Sequence, residues 1–166
     1  MKKIIITVFL IMAYCLSYAD NRFIGSWVVE KHSSSMKFAA TLNESGNAFG
    51  QYCFVGEGQC VYLLGIRTSC EKGSTYPVLM NSDSGSGPYS VYCNGPLDSG
   101  LYQYIFTEFE KIDGITKTAN KIGFAFPLQG DQFQVIRFSL FGSNEAIKEM
   151  RDSFNNGNSR SSEEIL

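Results

Sequence analysis

Beyond residue 19 the chain breaks every few residues at Gly, Ser, Asn or Asp. Between the breaks stand short runs rich in Val, Ile, Phe and Tyr. Runs of this length and composition are too short for most helices and suit a pleated, half-buried surface. They predict Trp27-Val28-Val29 as a first strand, then Met36 to Leu42, Tyr52 to Val55, Cys60 to Ile66, Tyr76 to Met80, Tyr89 to Cys93, Leu101 to Phe106, Ile122 to Phe126 and Gln132 to Phe141. In Leu101 to Phe106, Tyr102, Tyr104 and Phe106 share one face, and Leu101, Gln103 and Ile105 share the other. That strand is therefore central in a packed arrangement or carries an exposed aromatic patch. Two stretches read as helix. Phe109, Ile112 and Ile115 recur between Thr107 and Asn120, with Gly114 weakening the pattern. Ala146, Ile147, Met150 and Phe154 mark one face of a second helix, capped by Ser143 or Asn144 and ending before Asn155-Asn156-Gly157. The fold expected is mainly β, a β-sandwich or a curled antiparallel sheet with two short helices; α+β is the alternative. A single domain spans 20–154, and 155–166 reads as a flexible polar tail.

Residues 1–19 read as a secretory signal peptide. Lys2 and Lys3 precede an apolar run from Ile4 to Leu16, and Ser17-Tyr18-Ala19 places small residues around a cleavage site before Asp20. The apolar run is too short for a helix that needs about 20 residues to cross a bilayer. Lipidation at Cys15 is disfavoured by the bulky Tyr14 before it. Cleavage of 19 residues from 166 leaves 147, enough for one core. The whole chain carries 14 basic and 16 acidic residues; losing two lysines leaves 12 against 16, a formal charge of −4. A mildly acidic chain without charge runs offers nothing to nucleic acid or anionic lipid. The expected location is the periplasm or the cell exterior.

The same cleavage removes Cys15 and leaves Cys53, Cys60, Cys70 and Cys93. An even count in an exported chain reads as two disulfides. A two-residue Gly56-Glu57 hairpin turn would set Cys53 opposite Cys60 and leave Cys70 to Cys93. A three-residue Gly56-Glu57-Gly58 loop would instead let Cys53 reach Cys93 and Cys60 reach Cys70. Zinc ligation needs closer ligand pairs than these, and His32 is the only histidine. Neither a metal nor a cofactor is expected.

Catalytic groups are sparse. His32 stands beside Ser33, Ser34 and Ser35, where a polar turn explains it without an oriented base and oxyanion hole. Glu108 and Glu110 diverge if they lie on a helix. Asp83, in Asn81-Ser82-Asp83-Ser84-Gly85, is one carboxylate where calcium needs several. The stretch Asn81 to Pro88 reads as a loop between strands. Asp83, Ser84, Pro88 and Tyr89 are its candidate interaction residues. Asn43-Glu44-Ser45 is a glycosylation sequon, relevant to a eukaryotic secretory route only.

The C-terminal run Phe133-Gln134-Val135-Ile136-Arg137-Phe138-Ser139-Leu140-Phe141-Gly142-Ser143-Asn144-Glu145-Ala146-Ile147-Lys148-Glu149-Met150 reads as strand, Gly corner and helix. It resembles the close of invasion-associated locus B family proteins, exported bacterial proteins with an early aromatic-Trp strand and two disulfides. Phe23-Ile24-Gly25-Ser26-Trp27-Val28-Val29 matches that early strand, but no cysteine follows it before Cys53. The resemblance implies a β-rich periplasmic or secreted fold with a host-interaction or envelope role, and no catalytic residues. The functional expectation is a non-enzymatic binding protein whose partner is another protein or an envelope component. The alternatives are a secreted inhibitor or immunity-type protein using the Asn81 to Pro88 loop, and a hydrolase using carboxylates such as Glu108 and Asp131.

Overall fold

Phe49 shows how the strands are arranged. It lies on the fourth strand, yet its ring centroid is 5.3 Å from that of Phe124 on the ninth. Five strand spacings separate those two strands along the sheet, about 24 Å if the sheet were flat. The sheet must therefore curl until its two halves meet. The structure, a computed structural model, describes residues 22–127 and 132–163, with side-chain surroundings as far as 157. The expected signal segment and Asp131 lie outside these residues.

Among the described residues ten strands run antiparallel: β1 (Arg22–Ile24), β2 (Trp27–Glu30), β3 (Met36–Leu42), β4 (Ala48–Phe54), β5 (Gln59–Ile66), β6 (Thr75–Ser82), β7 (Gly85–Pro96), β8 (Tyr102–Phe106), β9 (Lys121–Pro127) and β10 (Phe133–Ser139). Their order across the sheet is β1-β2-β3-β4-β5-β8-β7-β6-β9-β10. The curled antiparallel sheet, rather than the sandwich, is the architecture. Among the described residues its two ends meet without a strand ladder. Ser26 N–H donates to the Phe141 carbonyl (2.9 Å), Trp27 Nε1 to Ser139 O (3.2 Å) and Asn43 Nδ2 to Arg137 O (3.3 Å). The segment Phe23 to Val29, expected as one strand, is two strands folded at Gly25-Ser26. Gly25 there has a positive φ of 58°, and a Cβ would lie 2.4 Å from the Phe141 carbonyl oxygen.

The inner face is aromatic. Phe49 packs against Trp27, Tyr62, Phe106 and Phe138 as well as Phe124. Tyr104 and Phe106 point into this core, so β8 is central and its aromatic face is covered. Helices α1 (Phe109–Thr118) and α2 (Ser143–Glu163) complete the core. Ala146, Ile147, Met150 and Phe154 are all buried, as their spacing predicts. The helix does not stop at Asn155-Asn156-Gly157 but continues to Glu163. One interior Gly costs only about 1 kcal/mol relative to Ala, which a helix already docked on the sheet tolerates. Ser143 does not cap it through its side chain; the hydroxyl donates to the Thr116 carbonyl and ties α2 to α1.

A buried polar cluster fixes both helices to the sheet. Asp113 on α1 accepts from the Tyr62 hydroxyl (2.7 Å) and from Arg151 of α2, and pairs with Lys117 (2.6 Å). Arg151 also donates through Nε to Gln51 Oε1 (2.7 Å). Burial pushes the Asp113 carboxyl up, but the hydrogen bonds from Lys117, Tyr62 and Arg151 outweigh it, and the net shift is down. Burial, with a smaller contribution from Asp113, drives the Tyr62 phenol upward.

Both disulfides follow the first of the two pairings open to the sequence. Cys53 bridges Cys60, its directly opposite partner on β5, and Cys70 bridges Cys93. The turn between β4 and β5 differs in detail from the expected Gly56-Glu57 type. The positive φ falls on Gly58, and the N–H groups of Glu57 and Gly58 both donate to Phe54 O. Val55 N–H is drawn away to the Ser35 carbonyl, which opens the turn.

Candidate binding surface on the outer face of the sheet

Directly opposed residues of antiparallel strands point to the same face, so strand register alone lays out the outer surface of β6, β9 and β10. One outward row is Pro88, Leu79, Ala125 and Val135. The next is Ser86, Asn81, Gly123 and Arg137, about 6.8 Å along the strand. On the other side of the first row stand Pro77, Pro127 and Phe133. Because β9 carries only Gly123 and Ala125 between the taller residues of its neighbours, a trough runs along it. Its volume is about 570 Å³. Leu79 (53% exposed) and Val135 (48% exposed) form its apolar walls.

Arg137 shapes the polar end. A Cβ at Gly123 would lie 3.4 Å from the Arg137 Cγ, so the arginine stem lies over the glycine. No ion pair or side-chain hydrogen bond engages the Arg137 guanidinium or the Lys121 ammonium among the described residues. Asp83 stands at the same end, but it is already occupied. It accepts from Asn120 N–H (2.9 Å), Asn120 Nδ2 (2.9 Å) and Lys121 N–H (3.3 Å). These bonds, the Asn120 side chain first, hold its carboxyl below the usual carboxylate range.

The stretch Asn81 to Pro88 is not a protruding loop. β6 and β7 extend through it and pair down to Ser82 and Gly85, leaving Asp83-Ser84 as a two-residue turn. Gly85, with φ 149°, and the bonds from Asp83 to Asn120 stabilise a tight hairpin where a polar composition suggested slack. Its four candidate residues part company. Asp83 lines the polar end of the trough, and Pro88, on β7, stands outside it beside Leu79. Ser84 and Tyr89 line a separate depression of about 390 Å³ against α1, where Lys111 Nζ lies 5.9 Å from the Tyr89 ring centroid. Burial, then the Glu108 charge, raises the Tyr89 phenol.

Among the described residues the catalytic candidates do not converge. Glu108 precedes α1 and accepts from Ser90 N–H (3.2 Å) and the Thr107 hydroxyl (2.8 Å), while Glu110 faces the Tyr89 depression. Glu30 Oε1 accepts from the backbone N–H groups of His32 (2.6 Å) and Ser33 (3.0 Å), which shapes a polar turn. No hydrogen bond joins the His32 ring to a serine hydroxyl among the described residues. Nor do those residues group three potential His, Cys, Asp or Glu metal ligands. No described helix is long and apolar enough to cross a membrane. The trough residues Leu79, Ala125, Val135 and Arg137 were not singled out by the sequence. Their outward alternation was readable, but the β6–β9 pairing that brings them together was not.

No family model matches the chain, and no curated protein matches its sequence. Among solved structures, it is similar to invasion associated protein b from Bartonella henselae, with a TM-score of 0.57 and 13% sequence identity. The match covers 80% of this chain and 96% of that one. The two therefore share a fold, in agreement with the resemblance carried by the Phe133 to Met150 segment.

Proposed function

We propose that this is an exported, non-enzymatic binding protein that meets its partner through the outer face of β6, β9 and β10. The trough carries this reading: small residues at its floor, exposed apolar walls and, at one end, an arginine without an ion-pair partner among the described residues. Exposed apolar area rimmed by polar groups is what recognition surfaces present. Two disulfides, a leader-like N-terminus and a fold shared with an invasion associated protein support an extracytoplasmic place of work, in the periplasm or outside the cell. The separate engagements of Glu108 and Glu110 among the described residues support a binding role over hydrolysis.

Capture from envelope extract on the disulfide-intact protein tests this. Wild type should retain a stoichiometric component that Ala125→Glu loses and Lys148→Ala, on α2, keeps. Equal capture by Ala125→Glu would remove the surface. Turnover of a cell-wall or glycan substrate, lost in Glu108→Gln, would overturn the non-enzymatic reading.

A further inference from the structure

We infer that the trough takes an extended peptide segment of a partner protein, with an apolar side chain seated on Ala125 and a carboxylate two residues along seated on Arg137; this rests on the binding surface proposed above. The spacing is the first ground. The apolar row and the Arg137 row are two residues apart on β9, about 6.8 Å, which is the separation of alternate side chains on an extended peptide. Such a peptide lying along the trough presents residues i and i+2 to the two rows at once.

Charge is the second ground. Arg137 and Lys121 are cations without an ion-pair partner among the described residues, on a chain of net negative charge. The nearby carboxylate, Asp83, stays charged but accepts from the Asn120 and Lys121 N–H groups and forms no ion pair with Arg137 among the described residues, so the guanidinium fork is open to an incoming anion. Arginine offers a planar fork to a carboxylate, and its stem is already laid over Gly123.

Two competing modes are disfavoured by the same geometry. Addition of a strand to the β10 edge meets carbonyls that are already used: Arg137 O accepts from Asn43 Nδ2, and Ser139 O from Trp27 Nε1. A lipid acyl chain needs enclosure over most of its surface, and the walls of the trough are single side chains standing on a sheet face.

The test is selection from a random peptide display library on the immobilised, disulfide-intact protein, followed by fluorescence anisotropy of the recovered peptides. Wild type should enrich apolar-x-Asp or apolar-x-Glu sequences. Arg137→Glu should invert the charge preference to apolar-x-Lys or apolar-x-Arg, and Ala125→Glu should weaken binding at least tenfold. Circular dichroism confirms that both variants stay folded; if Ala125→Glu does not, Leu79→Ser with Val135→Thr replaces it. Recovered peptides without an acidic preference, or a preference unchanged in Arg137→Glu, overturn the inference. Stoichiometric binding of dodecanoate that depends on Arg137, with no peptide enriched, also overturns it and assigns the trough to an amphiphile. If Ala125→Glu abolishes envelope capture while the library shows no acidic preference, the surface stands and the peptide chemistry falls. If capture survives Ala125→Glu, the surface itself falls.

Discussion

Asp113→Asn tests the claim that one buried carboxylate holds both helices to the sheet. The side chain is almost wholly buried and receives Tyr62, Lys117 and Arg151. Asparagine keeps the shape but leaves two cations without their counter-charge. Removing one partner of a fully buried pair costs about 3–5 kcal/mol. Lys117 and Arg151 are 46% and 28% exposed, so water takes up part of the loss. The expected cost is about 2–3 kcal/mol, or about 5–10 °C in Tm for a chain of this size. Lys117→Met, which removes the more exposed partner, should cost no more than about 1 kcal/mol. Urea unfolding with disulfides intact, at pH 7 and at steps below pH 5, measures both. The folded Asp113 titrates below the unfolded value of about 3.9. Its contribution is therefore complete above that value and is lost as pH falls through the folded pKa. The gap between wild type and Asp113→Asn should be full at pH 7 and narrow below about pH 4. A gap under about 0.5 kcal/mol at pH 7, or one that widens in acid, would refute the reasoning.

The disulfides should differ in worth. Cys70–Cys93 closes 23 residues and Cys53–Cys60 only seven, so chain entropy alone makes their removal as Ala pairs cost about 3.4 and about 2.4 kcal/mol; chemical denaturation of the two double variants checks the order. Gly142→Ala should destabilise by more than about 2 kcal/mol, because its φ is 87° and a Cβ would sit 2.4 Å from the Ile24 carbonyl oxygen. Gly114→Ala, in an exposed turn of α1 with nothing within 4 Å of a Cβ, should instead raise stability by about 0.5–1 kcal/mol. Thermal melts of the pair decide whether conformation or crowding governs each site.

What a sequence shows of such a fold depends on whether the determining contact is local. Met36–Leu42 emerged as a strand at both ends because its apolar run is bounded by polar turns on either side. Cys53 opposite Cys60 was readable as one of two pairings, because a seven-residue separation admits few registers, but the turn that chose between them was not. The extent of β6 and β7 was not readable. Their last paired residues are Asn81, Ser82, Gly85 and Ser86, types that strands ordinarily avoid. They are held by β9 on one side and by Asp83 bonding to Asn120, 37 residues away. The helix beyond Asn155 was hidden for the same reason: its composition is poor for helix, and its first turns are held by Phe154 and Met150 in the core.

The trough is the harder case. Alternation along β9 separates Ile122, Phe124 and Phe126 from Gly123 and Ala125, so the inner face could be read one strand at a time. The outer face could not, because small residues there carry no meaning until the heights of their neighbours are known. Beside another small strand, Gly123 and Ala125 would make a flat patch. Between Leu79 of β6 and Val135 of β10 they make a channel, and Gly123 becomes the space over which Arg137 lies. β6 and β9 are adjacent although two strands and a helix intervene in the chain. A binding surface assembled across that crossover is a property of strand order, while the disulfides and hairpins that stabilise it are properties of short segments. That difference explains why the residues chosen from composition, Asp83 and Pro88, reach only the border of the surface, while its centre falls on an alanine.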